Sequence, residues 1–372
     1  MKILVVHNLL WAHYKSVLFE EIQKQLPAPH QFHVLQIARN ELSRKGMETS
    51  AAGYNYNYTL LFDDYIENVP KLREIVAVLR FFLKYNPDVV NVTGYSSNIS
   101  TLPVIFLAWL LGKKIIMSNE STGSDERKGG IKEYLKRWAV KACSGYVVFG
   151  RSSEDYLVEL GAKRDRVLVR NAAVVDNVAI LNACKEAARQ TLFPEISTKK
   201  NFIFVGRMSP EKNVSLLVRA FQSLYDPAGE WGLILVGNGK EDENIMQLIL
   251  QKPARIHKYN SVGWKVIPEF FSRAQCLVLP SSSEPWGLVV NEAMICGLAV
   301  IVTEACGCAG DLVNGNGYTV QANSLPDLQD ALQNIMDTPD LSALKSRSEE
   351  IIKSFSVDRV AREYVQQVTA LA

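Results

Sequence analysis

Two glutamates, Glu284 and Glu292, flank Gly287 in a stretch that follows a short apolar run. The run, residues 276–279, is predicted to be a buried strand, followed by a turn and a helix that begins at Pro285. Backbone N–H groups at the start of such a helix can bind an anion, and Gly287 lets them approach it closely. Carboxylates repel phosphate but accept hydrogen bonds from hydroxyls. The pattern therefore indicates a ligand that joins phosphate to sugar; the alternative is a surface helix with two solvated glutamates.

Two cations lie in another predicted strand-to-helix loop, earlier in the chain. Arg207 and Lys212 follow the apolar run 202–205, with Gly206 beside them, and precede an amphipathic helix. An arginine can bind phosphate in bidentate fashion, and a lysine binds it as a point charge. These residues are therefore predicted to hold a diphosphate. The alternative is a solvated Lys212 and an Arg207 that pairs with Glu211.

Length and composition set the broad class of the protein. A chain of 372 residues is too long for one compact core, so two domains are expected. The hydrophobic share of 48% and the charged share of 22% are typical of a globular protein. Lysine and arginine number 41 against 39 acidic residues, and the net charge of +2 favours neither nucleic acid nor membrane as a general partner.

The cysteines and the apolar segments predict a cytoplasmic protein. Most of the 6 cysteines are embedded in apolar runs, as suits reduced thiols. Cys306 and Cys308 could supply half of a metal site, but no second pair completes it, so a tight turn is expected. The N-terminus shows no targeting signal, and the apolar stretch 102–111 is about half as long as a membrane span.

Short apolar runs alternate with helical patterns through the first half of the chain, and the alternation begins again at residue 202. Such alternation predicts parallel sheets with helices on both faces, which bind ligands at the carboxyl ends of their strands. In the first half the predicted strands are 3–6, 32–37, 88–92, 114–117 and 146–149, and the predicted helices are 13–26, 72–83, 102–111 and 131–142.

The loop after the first predicted strand, residues 7–13, contains no glycine. A dinucleotide-binding fingerprint needs glycines at this place, so the loop argues against a dehydrogenase. His7, Trp11 and His13 could line a pocket or could pack the loop against the domain.

The loop 118–125 consists entirely of small or polar residues, and it follows a predicted buried strand. Its position makes Asn119 and Glu120 candidates for binding a sugar. A loop that caps the next helix is the alternative.

The predicted helix after this loop has a basic side. Lys128, Lys132 and Lys136 recur at four-residue spacing, and an apolar stripe lies on the other side. Basic residues beside an apolar stripe with a tryptophan can dock on anionic lipid headgroups, or they can form the solvated face of a helix packed on the sheet. The stripe consists of Ile131, Leu135, Trp138 and Ala142.

Three segments of the second half occur together in one order and spacing. They are Val205-Gly206-Arg207 with Glu211-Lys212-Asn213, then Val236-Gly237-Asn238-Gly239, and then Pro280-Ser281 through Glu284-Pro285-Trp286-Gly287 to Glu292-Ala293. Together they resemble the family 4 retaining glycosyltransferases of the GT-B fold. The resemblance is dense over residues 202–320, thinner over 146–176 and weak before that.

The resemblance implies an α/β chain of the GT-B class, with two Rossmann-like domains whose parallel sheets face each other across a cleft. It implies an acceptor-side domain over residues 1–175, a linker over 176–200 and a nucleotide-sugar-binding domain over 201–354. A final helix, 355–372, is expected to cross back to the first domain.

The resemblance also assigns roles to single residues. Arg207 and Lys212 match the residues that bind the donor diphosphate, Glu284 the residue that contacts the donor sugar, and Glu292 the residue that contacts the ribose. With Glu120, the first three form the expected catalytic set. The expected donor-binding set is Arg207, Lys212, Gly206, Gly237, Trp286, Gly287, Leu288 and Glu292.

The chain departs from the family pattern in its first half. Many members have a glycine-rich loop where this chain has residues 7–13, and many have a histidine in the loop that residues 118–124 occupy. Glu120 is the nearest functional substitute for that histidine. Acceptor contacts in the first domain are therefore open.

The expected activity is the transfer of a sugar from a UDP- or GDP-linked donor to an acceptor hydroxyl, with retention of anomeric configuration. The resemblance favours a glycan or a lipid-linked intermediate of surface polysaccharide synthesis as the acceptor. No cofactor other than this donor substrate is expected. No metal is expected, because no DxD-type metal site occurs in a fitting context, and the net charge of +2 argues against nucleic acid. Peripheral contact of helix 130–142 with the cytoplasmic face of the membrane is a further expectation.

Two other functions fit the same motifs. The chain could be a sugar-nucleotide-binding protein without catalysis, because the loops of its first half are atypical. It could also be a GT-B-type epimerase, which needs no acceptor. A phosphorylase fits less well, because such enzymes are far longer and carry a lysine site for pyridoxal phosphate.

Overall fold

A computed structural model of the chain describes residues 1–371 except 11, 43–53, 95–99, 124–129, 191–192, 194–195, 197–198, 225–228 and 253–254. For Ile131 and Lys132 it describes the backbone only. The predictions made for Trp11, for Lys128 and for the end of the loop 118–125 therefore lie outside the described residues.

The chain divides into two compact units. The first comprises Met1–Val175 and Ser356–Ala372, and the second comprises Asp176–Phe355. Each unit contains one sheet in which all the described pairings are parallel, with helices between the strands. The prediction of two Rossmann-like α/β domains is therefore confirmed.

The first unit contains, in its described part, a sheet of seven strands. The strands are β1 (Lys2–Leu9), β2 (Gln31–Asn40), β3 (Tyr58–Tyr65), β4 (Val89–Thr93), β5 (Lys114–Asn119), β6 (Gly145–Val148) and β7 (Val167–Val169). Their order is β3-β2-β1-β4-β5-β6-β7. The helices are α1 (His13–Gln25), α2 (Lys71–Tyr85), α3 (Thr101–Leu110), α4 (Ile131–Ala142) and α5 (Arg151–Glu159).

The central strands of this sheet are buried on both faces, which is why they read as continuous apolar runs. Every residue of β4 is buried, and so are residues 3–6 of β1. The strands and the four helices predicted for the first half of the chain are all present in the structure. The edge strand β3 was not predicted, because its apolar run, residues 60–62, is short and half-exposed and is followed directly by two aspartates.

The second unit begins with α6 (Asn177–Ala187), whose N-cap Asp176 accepts a hydrogen bond from the Ala179 N–H. Its described strands are β8 (Lys200–Val205), β9 (Trp231–Val236), β10 (Ile256–Tyr259), β11 (Cys276–Leu279), β12 (Ala299–Thr303) and β13 (Gly317–Val320), in the order β10-β9-β8-β11-β12-β13. Its next helices are α7 (Val214–Ser223), α8 (Asp242–Gln251), α9 (Ile267–Phe271), α10 (Leu288–Ile295), α11 (Ala309–Leu312), α12 (Leu325–Asp337) and α13 (Ser342–Ile352).

The last helix, α14 (Val357–Thr369), belongs to the first unit, where it packs on α1 and β7. It buries Val360, Tyr364 and Val368, and the Asn91 side chain in β4 donates a hydrogen bond of 3.2 Å to the Tyr364 hydroxyl. No helix within the described ranges is long and apolar enough to cross a bilayer.

One predicted helix boundary is wrong. Helix α10 begins at Leu288 and not at Pro285, because Gly287 has a left-handed backbone with φ of +96° that the helix cannot include. Pro285 lies in the preceding turn and is exposed.

Candidate functional site

The second sheet changes its winding direction between β8 and β11. These neighbouring strands are not consecutive in the chain: β9 and β10 lie on one side of β8, and β12 and β13 lie beyond β11. In such sheets the crossover connections diverge at this point and leave a crevice at the carboxyl ends of the two strands, where ligands bind. The loops 206–213 and 280–287, which hold Arg207, Lys212 and Glu284, both begin here.

Lys212 and Glu284 form a salt bridge between Nζ and Oε2 at this edge of the sheet. Both side chains are largely buried, with exposed fractions of 16% and 13%. Lys212 ends a short 3₁₀ turn, and Asn213, with φ of +54°, redirects the backbone into α7. The Ser282 N–H donates to the Glu211 carbonyl oxygen at 2.8 Å and ties the two loops together. Lys212 is therefore held by the fold and is not a solvated loop lysine.

Arg207 lies on the same loop but is much more exposed. Its side chain is 67% exposed, and Nη2 lies 3.6 Å from Oε1 of Glu211, too far for a hydrogen bond. The Ser209 hydroxyl donates to that carboxylate at 2.6 Å and holds the pKa of Glu211 below its usual value. An exposed pair of this kind contributes little to stability. The guanidinium can therefore leave Glu211 for an anionic ligand.

The glycines beside this loop allow two backbones to touch. Gly237 has φ of +143°, and a Cβ at this position would lie 1.8 Å from the Gly206 carbonyl oxygen. A Cβ on Gly239 would lie 2.2 Å from the Met208 carbonyl oxygen. The Met208 N–H donates to the Asn238 carbonyl oxygen at 2.9 Å. The loops after β8 and β9 therefore support each other, which fixes the base of the cation-bearing loop.

The start of α10 shows which parts of the predicted donor-binding motif a ligand could reach. Trp286 is only 3% exposed; its Nε1 donates to Asn291 Oδ1 at 2.9 Å, and its ring lies 5.7 Å from that of Phe355. The Trp286 ring is therefore covered by the protein and does not face a ligand. Gly287 is buried and Leu288 half-buried.

Glu292 lies in the second turn of α10, between buried neighbours. The residue retains partial exposure, yet burial of its carboxyl raises the pKa of Glu292 from 4.5 to about 7. Near neutral pH this carboxyl can therefore accept a hydrogen bond from a ribose-type hydroxyl or, when protonated, donate one.

The remaining predicted site residues belong to the first unit. Glu120 follows β5 and is paired with Lys15 of α1 at 2.6 Å. Asn119 is buried, and its amide donates to the carbonyl oxygens of Ser121 and Ser153, so it supports the loop and does not face a ligand. The N-cap residue of the next helix, α4, is Gly130, so neither Asn119 nor Glu120 caps that helix.

His7 is an interior residue. Its Nδ1 lies 3.1 Å from Gln36 Oε1, and its ring packs edge-on against Phe19. Burial, followed by the nearby Lys15 ammonium, lowers the pKa of His7 to about 4, so the ring is neutral near pH 7. His13 begins α1 and is half-buried.

Lys15 was not predicted from the sequence to be a site residue. It lies on the stripe of α1 that includes Leu18, Phe19 and Ile22, and the residue is 5% exposed. A charge at one position of an otherwise apolar helical stripe was the available signal. In the described ranges no group of three or more histidine, cysteine, aspartate or glutamate side chains could hold a metal ion.

Comparison with known proteins finds a family match that lies within the second unit. Residues 188–353 match the family model described as Glycosyl transferases group 1. MJ1178 of Methanocaldococcus jannaschii, an uncharacterized glycosyltransferase, is 26% identical over 160 residues, which are 42% of this chain and 44% of that protein. The chain thus spans about half the length of that relative.

Two other proteins are similar over more of the chain. An N,N'-diacetylbacillosaminyl-diphospho-undecaprenol alpha-1,3-N-acetylgalactosaminyltransferase of Campylobacter jejuni is 20% identical over 79% of this chain and 80% of that protein. Alr3699/HepE of Anabaena, solved in complex with UDP, covers 100% of both chains with a TM-score of 0.76 and 17% identity. The second likeness shows the fold, which is that of the GT-B class. The segment that matches glycosyl transferases group 1 is the one that holds Arg207, Lys212, Glu284 and Glu292.

The contact between Gly206 and Gly237 generates the first prediction. Gly237→Ala forces apart the loops after β8 and β9, and we expect it to lower the free energy of unfolding by about 2 kcal/mol or more. Gly310→Ala is the matched control, because a Cβ there meets nothing within 4 Å. Urea denaturation followed by tryptophan fluorescence measures both; equal stabilities of the two variants would contradict the contact.

The buried carboxyl of Glu292 generates the second prediction. Because the folded pKa is higher than the ordinary 4.5, the folded chain binds this proton more tightly than the unfolded chain. The free energy of unfolding should therefore fall as the pH rises from 4.5 to about 7, with no further loss from this group above that range. Glu292→Gln should flatten this part of the profile. Urea denaturation at several pH values provides the measurement, and profiles that coincide would disprove the shift.

Proposed function

We propose that the chain is a glycosyltransferase that moves a sugar from a nucleoside diphosphate donor to an acceptor hydroxyl. The second unit binds the donor and the first unit binds the acceptor. The observation that carries the proposal is the salt bridge between Lys212 and Glu284 at the crevice between β8 and β11, with Arg207 exposed beside it. A cation and a carboxylate in contact at a ligand-binding edge suit a ligand with both phosphates and hydroxyls.

Donor binding exchanges the partners of this salt bridge. The diphosphate accepts hydrogen bonds from Lys212 and Arg207. The N–H groups at the start of α10, the positive end of that helix dipole, attract it further. Glu284, released from Lys212, accepts hydrogen bonds from hydroxyls of the donor sugar. The ligand thus replaces one buried ion pair by two interactions of matched polarity.

The same cations stabilise the chemical step. The acceptor oxygen bonds to the anomeric carbon while the bond from that carbon to the diphosphate breaks, and the hydroxyl proton passes to the departing diphosphate. Negative charge develops on the leaving group, where Lys212 and Arg207 are already oriented towards it. The resemblance of the motif from Glu284 to Glu292 to the family 4 enzymes supports retention of anomeric configuration. The anomeric proton coupling of the product, measured by NMR, tests this part of the proposal.

The known proteins guide the choice of substrates. The HepE structure contains UDP, and the name of the Campylobacter relative specifies a diphospho-undecaprenol acceptor. We therefore propose a UDP- or GDP-linked donor and a glycan or lipid-linked acceptor. A sugar-nucleotide-binding protein without catalysis would bind these donors and release no nucleoside diphosphate. An epimerase would convert the donor sugar without consuming an acceptor.

The donor role of Lys212 generates the third prediction. Lys212→Ala removes one oriented cation from the leaving group and should lower turnover about 10²–10³-fold. Lys252→Ala is the control, because this exposed lysine lies at the far end of α8 in the same unit. Release of UDP or GDP from a panel of nucleotide sugars gives the rate. Turnover of Lys212→Ala close to that of the unmodified chain would refute the donor site.

We also propose that the first unit contacts the cytoplasmic face of a membrane through α4 and the neighbouring face of α3. The Trp138 ring lies 6.0 Å from Phe106 and 6.2 Å from Trp109. Phe106, Trp109 and Leu110 are 52%, 53% and 64% exposed. Lys114, at the start of β5 shortly after α3, is also exposed. Peripheral membrane helices combine such aromatic and aliphatic groups with nearby basic ones. The free cysteines of the described chain fit a reducing compartment.

This surface generates the fourth prediction. The chain should sediment with vesicles that contain phosphatidylglycerol and much less with vesicles of phosphatidylcholine alone. Trp109→Ser combined with Leu110→Ser should reduce binding to the anionic vesicles about 10-fold or more, because two apolar side chains leave the interface. Leu250→Ser, which alters a leucine 70% exposed in the second unit, serves as the control. Equal binding by all three proteins would argue against this surface.

A further inference from the structure

Lys15 places a positive charge inside the first unit. Its side chain is 6% exposed, and its Nζ lies 4.5 Å from the centre of the Phe149 ring. The other residues on this stripe of α1, among them Leu18 and Phe19, are apolar and buried. An apolar residue would therefore fit position 15, and a buried ion pair is seldom worth more to stability than apolar packing. The charge needs another explanation.

The Lys15 ammonium is bound to Glu120, which follows β5. Nζ lies 2.6 Å from Oε1 of Glu120, and the Tyr14 hydroxyl donates to Oε2 at 3.3 Å. The two groups hold the carboxylate from α1, so both of its oxygens have a fixed orientation. Carboxylates in such charge-assisted contacts lose much of their rotational freedom before any ligand arrives.

The pair is asymmetric towards solvent. The Glu120 side chain is 35% exposed, whereas the Lys15 side chain is almost completely covered. The group that a ligand meets is therefore the carboxylate, and the cation lies behind it. His7, the nearest other titratable group of β1, is neutral near pH 7 and adds no positive charge. An anion that approached the Lys15–Glu120 pair from solvent would therefore meet the negatively charged Glu120 carboxylate before the covered ammonium.

The position of the pair in the sheet is that of a ligand site. The first sheet changes its winding direction between β1 and β4, and β5 is the next strand. Helix α1 follows β1, and Glu120 follows β5, so Tyr14, Lys15 and Glu120 lie where loops leave the carboxyl ends of the strands around that point.

We propose that Glu120, oriented by Lys15 and Tyr14, binds hydroxyl groups of an uncharged sugar and so selects a neutral acceptor over an acidic one. Glu120 touches the ligand, and Lys15 is a positioning residue. The inference rests on the proposed function, because that function makes the bound sugar an acceptor. It specifies the chemical class of that acceptor. A uronic acid or a phosphorylated sugar is disfavoured because its negative charge would face the Glu120 carboxylate.

The test is saturation-transfer NMR of the full chain with neutral and acidic methyl glycosides at millimolar concentrations. The neutral probes are methyl α-D-glucopyranoside, methyl α-D-mannopyranoside and methyl N-acetyl-α-D-glucosaminide, and the acidic probe is methyl α-D-glucuronide. The variants are Glu120→Gln and Lys15→Met. The matched control is Lys24→Met, because Lys24 lies on the same helix with its side chain 77% exposed.

We expect at least one neutral glycoside to bind the unmodified chain and the Lys24→Met control, and the glucuronide to bind neither. Glu120→Gln and Lys15→Met should each weaken the neutral glycoside about 10-fold, the effect of losing one charge-assisted hydrogen bond or its orientation. Glu120→Gln should also reduce the ratio of the affinity for the neutral glycoside to the affinity for the glucuronide. A purely structural role of Glu120 would not change this charge selectivity.

Three results would overturn the proposal: no binding by any neutral glycoside, glucuronide binding as tight as the neutral probes, or unchanged glycoside affinity in folded Glu120→Gln. Thermal unfolding verifies that each variant is folded, and the double variant Lys15→Met with Glu120→Gln, which removes both charges, substitutes for a single variant that does not fold. The assay contains no nucleotide. Its failure is therefore separable from failure of the donor-side proposal, which the release of nucleoside diphosphate measures.

Discussion

The contact between Lys212 and Glu284 is the interaction on which the proposed donor site depends. Two loops from neighbouring but non-consecutive strands must meet to form it, and the winding order of the second sheet brings them to one edge. Glycine contacts beneath the loop after β8 fix the backbone that carries the lysine. A buried ion pair contributes modestly to stability, yet removing one partner leaves the other charge uncompensated. The fold therefore holds two opposite charges side by side, where a ligand with both phosphates and hydroxyls can bind each of them.

The first unit repeats this arrangement with different residues. Its sheet also reverses direction beside its first strand, and a largely buried lysine again pairs with a glutamate at the carboxyl edge. The two pairs differ in what they show to solvent. In the second unit an exposed Arg207 adds positive charge beside the pair, whereas in the first unit the carboxylate faces outward and the cation is covered. This difference in polarity is why we assign phosphate to one and neutral hydroxyls to the other.

Sequence patterns predicted the fold class and the two loops that carry Lys212 and Glu284, because parallel strands and local loop motifs are encoded within short segments. The edge strand β3 was not predicted because it is half-exposed and its apolar run is only residues 60–62. The start of α10 was placed too early, because the left-handed Gly287 cannot be told from a helical glycine by sequence alone. The pairing of Lys15 with Glu120 joins residues far apart in the chain, so no local pattern contained it.

The most direct measurement of the central claim is calorimetric titration of free UDP and GDP into the chain and its Glu284→Gln and Lys212→Met variants. Without a sugar on the nucleotide, Glu284 only competes with the diphosphate for Lys212. The account predicts that the tighter-binding nucleotide binds Glu284→Gln at least as strongly as the unmodified chain, and binds Lys212→Met about 10-fold or more weakly. Equal weakening by the two substitutions, or no weakening by Lys212→Met, would contradict it.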